Sequence, residues 1–137
     1  MTRKEHWQPD PDPHDFPAAG DYLSMLLPAR AAGDLVERLR KAKLTHRKAK
    51  DLLRASRLPL LPAKDPEVAR DLKKVARGER LSPVLLVRGD LALNVPLTVA
   101  DGYHRICASY HLEEDELIAC RIVDGPGRME SAKTKPL

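Results

Sequence analysis

Residues 97–112 read LTVADGYHRICASYHL, and this stretch decides the fold. Its first four residues are apolar or β-branched, which is typical of a short strand. Gly102 then allows a tight turn, and residues 103–112 carry apolar side chains at helical spacing. We therefore predict a strand, a glycine turn and a helix, with Asp101 at the carboxyl end of the strand.

The predicted turn has the composition of an anion-binding site. The N–H groups of a first helical turn carry about half a positive charge, and they bind phosphate groups in many proteins. Gly102 lets the backbone approach a ligand closely, and His104 and Arg105 add side-chain donors. Asp101 is a candidate general base, metal ligand or ribose-binding residue, and a helix N-cap is the alternative interpretation of it.

The elements before and after this turn predict an α/β fold. Residues 81–87 are almost continuously apolar, which indicates a strand buried on both faces. Asp65 followed by Pro66 predicts the start of a helix that Gly78 ends. Residues 57–62 predict an edge strand, because their prolines exclude them from the interior of a sheet. Residues 91–96 read as a connecting loop or a hairpin, and residues 117–123 predict the last strand.

The first part of the chain divides into a proline-rich arm and a helical region. Residues 1–20 contain Pro9, Pro11, Pro13 and Pro17, which exclude a long helix or an inner strand. We expect an extended arm that is ordered where Trp7 or Phe16 finds a groove, and a flexible tail is the alternative. The spacing predicts helices over residues 21–27, 33–43 and 45–56, the last capped by Thr45. The predicted organisation is therefore residues 1–20 as arm, 21–56 as basic helical extension, 57–124 as α/β domain and 125–137 as polar tail.

Residues 38–57 form the most basic stretch of the chain, with nine Lys or Arg residues and a single acid, Asp51. A solvated helical face is one interpretation. A contact surface for the phosphate backbone of nucleic acid, or for a protein, is the other. The stretch has neither the glycine turn of a helix-turn-helix nor aromatic residues for base stacking.

Composition limits the class of protein. The chain has 137 residues, of which 42% are hydrophobic and 4% aromatic, and its formal net charge is +4. We expect one domain with a mainly aliphatic core, without a transmembrane span or a signal peptide. Cys107 and Cys120 fall inside predicted elements, so we expect reduced core thiols in a cytoplasmic protein, with a disulfide as the alternative. The mild positive charge suits anion binding but does not require nucleic acid.

A metal site is an alternative interpretation of residues 103–112, because His104, Cys107 and His111 fall on one face of the predicted helix. That spacing is compatible with zinc, and Cys120 on the last strand is the remaining candidate ligand. A buried thiol flanked by two partly exposed histidines is the more ordinary outcome. We therefore predict no metal ligands in the protein itself.

The motif and the order of the elements over residues 58–123 resemble the ParB/sulfiredoxin superfamily. Its members carry a Gly-x-x-Arg or Gly-Cys-His-Arg turn at this place, and the free serine kinases of that fold carry Asp-Gly-His-His-Arg. In this chain the turn reads Asp101-Gly102-Tyr103-His104-Arg105. The resemblance implies a small mixed sheet flanked by helices, here with an N-terminal helical extension.

The resemblance also implies a ligand. A nucleoside triphosphate or diphosphate with Mg²⁺ would be held by Gly102, Tyr103, His104 and Arg105, with Lys74 contributing from the preceding helix. The same helix places Glu67 as a candidate general base beside Asp101. Tyr103 stands where sulfiredoxins carry their catalytic cysteine, so sulfinic acid repair is not expected.

The expected function is therefore nucleotide or phosphate binding, with a small ATP- or CTP-dependent phosphotransferase or hydrolase as the enzymatic form. The alternative is a non-enzymatic regulator or adaptor that uses residues 38–57 to bind nucleic acid or a protein. A third interpretation is an interaction protein whose turn motif is a relict. The sequence leaves a homodimer open.

Overall fold

The computed structural model describes residues 6–125, which form five helices around a four-stranded mixed sheet. The helices are α1 (Asp15–Leu23), α2 (Ala29–Lys41), α3 (Ala49–Ser56), α4 (Pro66–Ala76) and α5 (Tyr103–Leu112). The strands are β1 (Thr45–Lys48), β2 (Val84–Arg88), β3 (Thr98–Asp101) and β4 (Leu117–Asp124). The predicted α/β class is confirmed. Over residues 6–125, none of the helices combines the length and apolar character needed to cross a membrane.

The sheet has the strand order β1-β4-β2-β3. The two central strands, β2 and β4, are parallel, whereas β1 pairs with β4 and β3 pairs with β2 in antiparallel orientation. The first four residues of β2 are buried, as the near-continuous apolar run predicted. The pairing of β2 with β3 shifts register between Leu85 and Leu86, next to the point where β3 ends at Asp101.

Successive residues of β2 point to opposite faces of the sheet, and each face has its own hydrophobic core. Val84 and Leu86 belong to a core that also contains residues of α3, α4 and α5. Leu85 lies in the second core, together with residues of α1 and α2. The protein is therefore a sheet covered by helices on both sides.

Two of the predicted helices begin as expected from their sequence. The Asp65 carboxylate accepts the N–H groups of Glu67 and Val68, each at 3.1 Å, and Pro66 occupies the first helical position. Gly78, which was predicted to end α4, adopts a positive φ of 84° just after the helix. Helix α5 spans residues 103–112 as predicted.

Two element predictions are wrong, in each case because of how the backbone can or cannot hydrogen-bond to a neighbouring strand. Residues 45–48 form β1 instead of the first turn of a helix, because the edge of β4 offers them backbone partners from Thr45 opposite Cys120 onwards. The helix then begins at Ala49. Residues 57–62 form no strand, because Pro59 and Pro62 lack the N–H donors that a ladder needs. Those residues instead form an irregular segment beside α5, where the Leu61 carbonyl contacts the His111 imidazole.

The first two helices begin earlier than predicted. Helix α1 covers residues 15–23 instead of 21–27, and it includes Pro17, which a first helical turn tolerates. Its buried face is formed by Phe16, Ala19 and Leu23. Helix α2 begins at Ala29 instead of Gly33.

The N-terminal segment is fixed at both ends. Trp7 is 3% exposed and forms a parallel bridge with Leu81, whose N–H donates to the His6 carbonyl at 2.7 Å. Phe16 is buried in the other core, against α2. Residues 6–20 therefore cross from one side of the sheet to the other. Residues 1–5 and 126–137, the latter being most of the predicted polar tail, lie outside the described residues.

Candidate functional site

A cleft of about 420 Å³ lies at the amino-terminal end of α5, between that helix, α4 and the N-terminal segment. It is lined by six of the seven residues that the sequence predicted for a site, namely Glu67, Lys74, Asp101, Gly102, His104 and Arg105. Further charged lining residues are Asp12, His14, Asp15, Arg70, Asp71 and Arg80. The fold therefore brings the predicted residues of α4 and of the glycine turn to one place.

The glycine turn depends on the absence of a side chain. Gly102 has a φ of +112°, which L-amino acids with a side chain rarely adopt. A Cβ at this position would lie 2.8 Å from the Val84 Cβ and 3.0 Å from the Arg105 Nη2. The strand and helix can therefore approach each other only because residue 102 is glycine.

Helix α5 presents its amino terminus to this cleft. Gly102 is its N-cap, and no side chain caps the helix. The first helical hydrogen bond runs from the Ile106 N–H to the Gly102 carbonyl at 3.1 Å. The N–H groups of residues 103–105 precede that bond, so this end of the helix attracts anions.

Arg105 does not extend freely into the cleft. Its Nη2 donates to Asp101 Oδ2 at 2.6 Å, and its Nη1 donates to the Ser82 carbonyl at 2.5 Å and to Asp15 Oδ2 at 3.3 Å. Only 13% of the side chain is exposed. In this conformation the guanidinium joins β3, the start of β2 and α1, and two carboxylates already neutralise it.

Asp101 is held by the same arginine. Its carboxylate accepts from Arg105 instead of capping α5, so the N-cap interpretation is wrong. Burial raises the pKa of Asp101 above its usual value, and the nearby Asp15 carboxylate acts in the same direction while Arg105 opposes it. Asp101 is therefore a carboxyl group that accepts a proton more readily than an exposed aspartate does.

Asp15 is the site residue that the sequence analysis missed. It is 5% exposed, and it accepts the Ser82 hydroxyl at 2.5 Å as well as Arg105. The Ser82 oxygen in turn accepts the Asp12 N–H at 2.9 Å. No local signal predicts this contact, because Asp15 lies in a segment interpreted as an extended arm, far from Ser82 and Arg105 along the chain.

Helix α4 forms the opposite wall of the cleft. Glu67 and Arg70 make an exposed ion pair of 3.1 Å on this helix. Lys74 and Asp71 line the cleft beside it. Burial raises the pKa of Asp71, with Arg105, Lys74 and His104 opposing that effect. The wall thus mixes acids and bases instead of presenting a purely cationic surface.

Tyr103 is the one predicted site residue that the fold does not bring to the cleft. Its hydroxyl donates to the Pro59 carbonyl on the far side of the glycine turn. Burial raises its pKa, and the neighbouring Cys107 adds to that effect. The tyrosine side chain therefore attaches α5 to residues 57–62 and does not contact a ligand in the cleft.

The predicted metal alternative is not supported by the geometry. Over residues 6–125, the His, Cys, Asp and Glu side chains close enough to share an ion are Asp12, His14 and Asp15, and not the set on α5. Their two carboxylates suit Mg²⁺, whereas the His14 imidazole is a ligand that Mg²⁺ rarely takes. Cys107 and Cys120 are free, buried thiols.

The comparisons with known proteins add no relative, since no protein-family model, curated protein or solved structure matches this chain. The ParB/sulfiredoxin resemblance therefore rests on the turn motif and on the order of the elements from α4 onwards, because residues 57–62 form no strand.

Proposed function

We propose that the protein binds a phosphate-bearing small molecule, with a nucleotide as the first candidate, in the cleft at the start of α5. The observation that carries the proposal is the convergence of an uncapped helix terminus, His104 and Lys74 on one cavity. Each of these groups donates hydrogen bonds to phosphate oxygens. The cavity volume of about 420 Å³ lies in the ordinary range for small-molecule sites.

Different residues have different roles in this proposal. The N–H groups of residues 103–105 and the His104 imidazole face the phosphate, and Lys74 supplies positive charge from α4. Arg105 fixes the position of the turn through Asp101 and Ser82. Arg70 and Arg80, which line the same cleft, add positive charge at its rim.

The acids of the cleft explain why a divalent cation belongs to the proposal. Asp12, Asp15 and Asp71 line the cavity, and a nucleotide triphosphate without a cation would be repelled by them. The carboxylates of Asp12 and Asp15 are the described groups that would hold Mg²⁺. When bound, the ion would neutralise part of the phosphate charge.

The enzymatic form of the proposal is transfer or hydrolysis of a phosphoryl group, with Asp101 or Glu67 as the base. Asp101 is the better candidate, because its raised pKa brings proton acceptance closer to neutral pH. It also lies at the end of β3, directly before the helix terminus that would hold the phosphate. Both carboxylates have an arginine partner, since Asp101 pairs with Arg105 and Glu67 pairs with Arg70 on an exposed helix face.

Isothermal titration calorimetry with ATP, ADP, CTP and GTP, each with and without Mg²⁺, tests the proposal. We expect micromolar to millimolar binding that Lys74→Ala weakens by about tenfold, because a charge-assisted contact contributes roughly 1.5 kcal/mol. Lys73→Ala is the matched control, since Lys73 is the exposed neighbour of Lys74 and does not line the cleft. No heat from any nucleotide at millimolar concentration would refute the proposal.

The second candidate function is binding of nucleic acid or a protein by the basic residues 38–57. The structure arranges these residues over the end of α2, the edge strand β1 and helix α3, instead of over two helices. The β1 residues His46, Arg47 and Lys48 are exposed at the edge of the sheet. An edge strand with positive charge can face a phosphate backbone, although Lys48 already lies 3.8 Å from Asp115.

Fluorescence anisotropy with labelled single-stranded RNA and duplex DNA distinguishes this candidate from the first. We expect binding at low salt that decreases steeply as salt is added, and that Arg47→Glu weakens. Glu37→Lys, on the exposed face of α2, is the opposite charge change and should strengthen it. Affinity that does not depend on salt would exclude a phosphate-backbone surface.

A further inference from the structure

The Asp15 carboxylate occupies a position suited to an anionic ligand. It accepts the Ser82 hydroxyl at 2.5 Å and the Arg105 Nη1 at 3.3 Å, and it is 5% exposed. A guanidinium and a hydroxyl that converge on one point bind a phosphoryl oxygen as well as a carboxylate oxygen. The protein therefore supplies its own anion to this part of the cleft.

The contact between Asp15 and Arg105 is the weaker of the two ion pairs that Arg105 makes. Asp101 lies 2.6 Å from the guanidinium and Asp15 lies 3.3 Å from it. Two carboxylates that share one guanidinium also repel each other, which agrees with the effect of Asp15 on the pKa of Asp101. An incoming anion would therefore replace Asp15 more easily than Asp101.

The backbone around Asp15 limits how far the residue can move. Trp7 anchors the segment in one core, and Phe16 anchors it in the other. Asp15 is the first residue of α1 and is followed directly by the Phe16 anchor. Replacement of the Asp15 carboxylate consequently involves its side chain and the preceding turn, while the segment itself stays in place.

We propose that Asp15 is an internal competitor of the phosphoryl ligand, which reaches Arg105 and Ser82 only by displacing the Asp15 carboxylate. This inference rests on the proposed phosphate-binding function and adds a form of autoinhibition to it. This competition lowers the affinity of the cleft for a phosphoryl ligand below the value that its hydrogen-bond donors would otherwise give.

The test compares binding of inorganic pyrophosphate, without divalent cations, to the wild-type protein and to Asp15→Asn. Asparagine keeps the size of the side chain but removes the charge, so the variant should bind pyrophosphate about tenfold more tightly. Glu79→Gln is the matched control, because Glu79 lines the same cleft, loses the same charge in this variant and pairs with Arg77 instead of Arg105. It should change the affinity by less than about threefold through general electrostatics.

The outcomes distinguish the competitor role of Asp15 from phosphate binding by the cleft. Equal affinity of the wild type and Asp15→Asn, or an equal gain in Glu79→Gln, would overturn the competitor role and leave phosphate binding intact. Binding by Asp15→Asn alone would support both proposals. Absence of binding in every variant, together with absence of heat in the nucleotide titrations with Mg²⁺, would remove the function together with the inference. Asp15→Ser, which shortens the side chain and also removes the charge, provides the second variant if Asp15→Asn does not fold.

Discussion

The Asp101 carboxylate and the Arg105 guanidinium, the first and last residues of the turn motif, lie 2.6 Å apart and bind each other. The pair joins the end of β3 to the first turn of α5, so the motif fixes the geometry of the turn from within. As long as Asp15 holds Arg105, the phosphate-binding groups of the proposed site are the helix terminus, His104 and Lys74. The arginine then fixes the position of the turn that carries the helix terminus and His104.

Removal of Arg105 should strongly destabilise the protein. Arg105→Ala leaves the buried carboxylates of Asp15 and Asp101 without their shared cation, which we expect to cost roughly 3–5 kcal/mol of unfolding free energy. Arg88→Ala is the control, because Arg88 pairs with Asp124 at a half-exposed position and its loss should cost less than about 1 kcal/mol. Urea denaturation measures both, and equal losses would contradict the structural role of Arg105.

Gly102 should not tolerate even alanine. Gly102→Ala combines a positive φ with a clash against Val84, and we expect a loss of roughly 2–4 kcal/mol. Gly33→Ala makes the same chemical change within α2, where nothing lies within 4 Å of the new Cβ. It should stabilise the protein by roughly 0.5–1 kcal/mol. The melting temperature should therefore fall in Gly102→Ala and rise in Gly33→Ala.

Trp7 should contribute to stability as a core residue. Trp7→Ala removes a side chain that is 3% exposed, at an expected cost of roughly 3–5 kcal/mol. Met25→Ala, at a position 82% exposed, should change the stability by less than about 0.5 kcal/mol. Chemical denaturation followed by far-UV circular dichroism serves for both variants. A Trp7→Ala variant as stable as the wild type would mean that the segment packs only loosely.

Asp71 should make the stability depend on pH. Because burial raises its folded-state pKa above 3.8, the folded protein binds this proton more tightly than the unfolded chain does. The contribution of Asp71 is therefore fully present below that value and is lost as the pH rises through the folded pKa. Asp71→Asn should raise the melting temperature at about pH 7 and leave it nearly unchanged at about pH 3. An equal gain in melting temperature at both pH values would exclude the ionisation of Asp71 as its cause.

The two cysteines should be unreactive in the native protein. Burial raises the pKa of Cys120 to about 11 and also raises the pKa of Cys107. Since the thiolate is the reactive species, a disulfide-exchange reagent at about pH 8 should label neither thiol rapidly. After denaturation it should label both cysteines of the chain. Fast labelling of one thiol without denaturant would show that the hydrophobic core around that cysteine opens in the native protein.

The local signals in the sequence were reliable where a few neighbouring residues decide the structure. Asp65 and Pro66 began α4 as predicted, because capping and a fixed φ act within one turn. The glycine turn and α5 were also predicted correctly. The prediction failed at Thr45, where an isolated chain would favour a helix cap but β4 offers a row of hydrogen-bond partners. The prediction failed again at residues 57–62. These residues form no strand and pack beside α5 as an irregular segment.

The sequence by itself determined the α/β class, the buried strand β2, the glycine turn and the identity of six cleft residues, because hydrophobic pattern and backbone preference act over short distances. Only the tertiary structure decided that Arg105 is held by Asp101 and Asp15 and that Tyr103 turns away towards Pro59. Asp15 and Arg105 are 90 positions apart in the chain. Their contact exists because two cores fix the N-terminal segment across the end of the sheet, and no local preference specifies that distance.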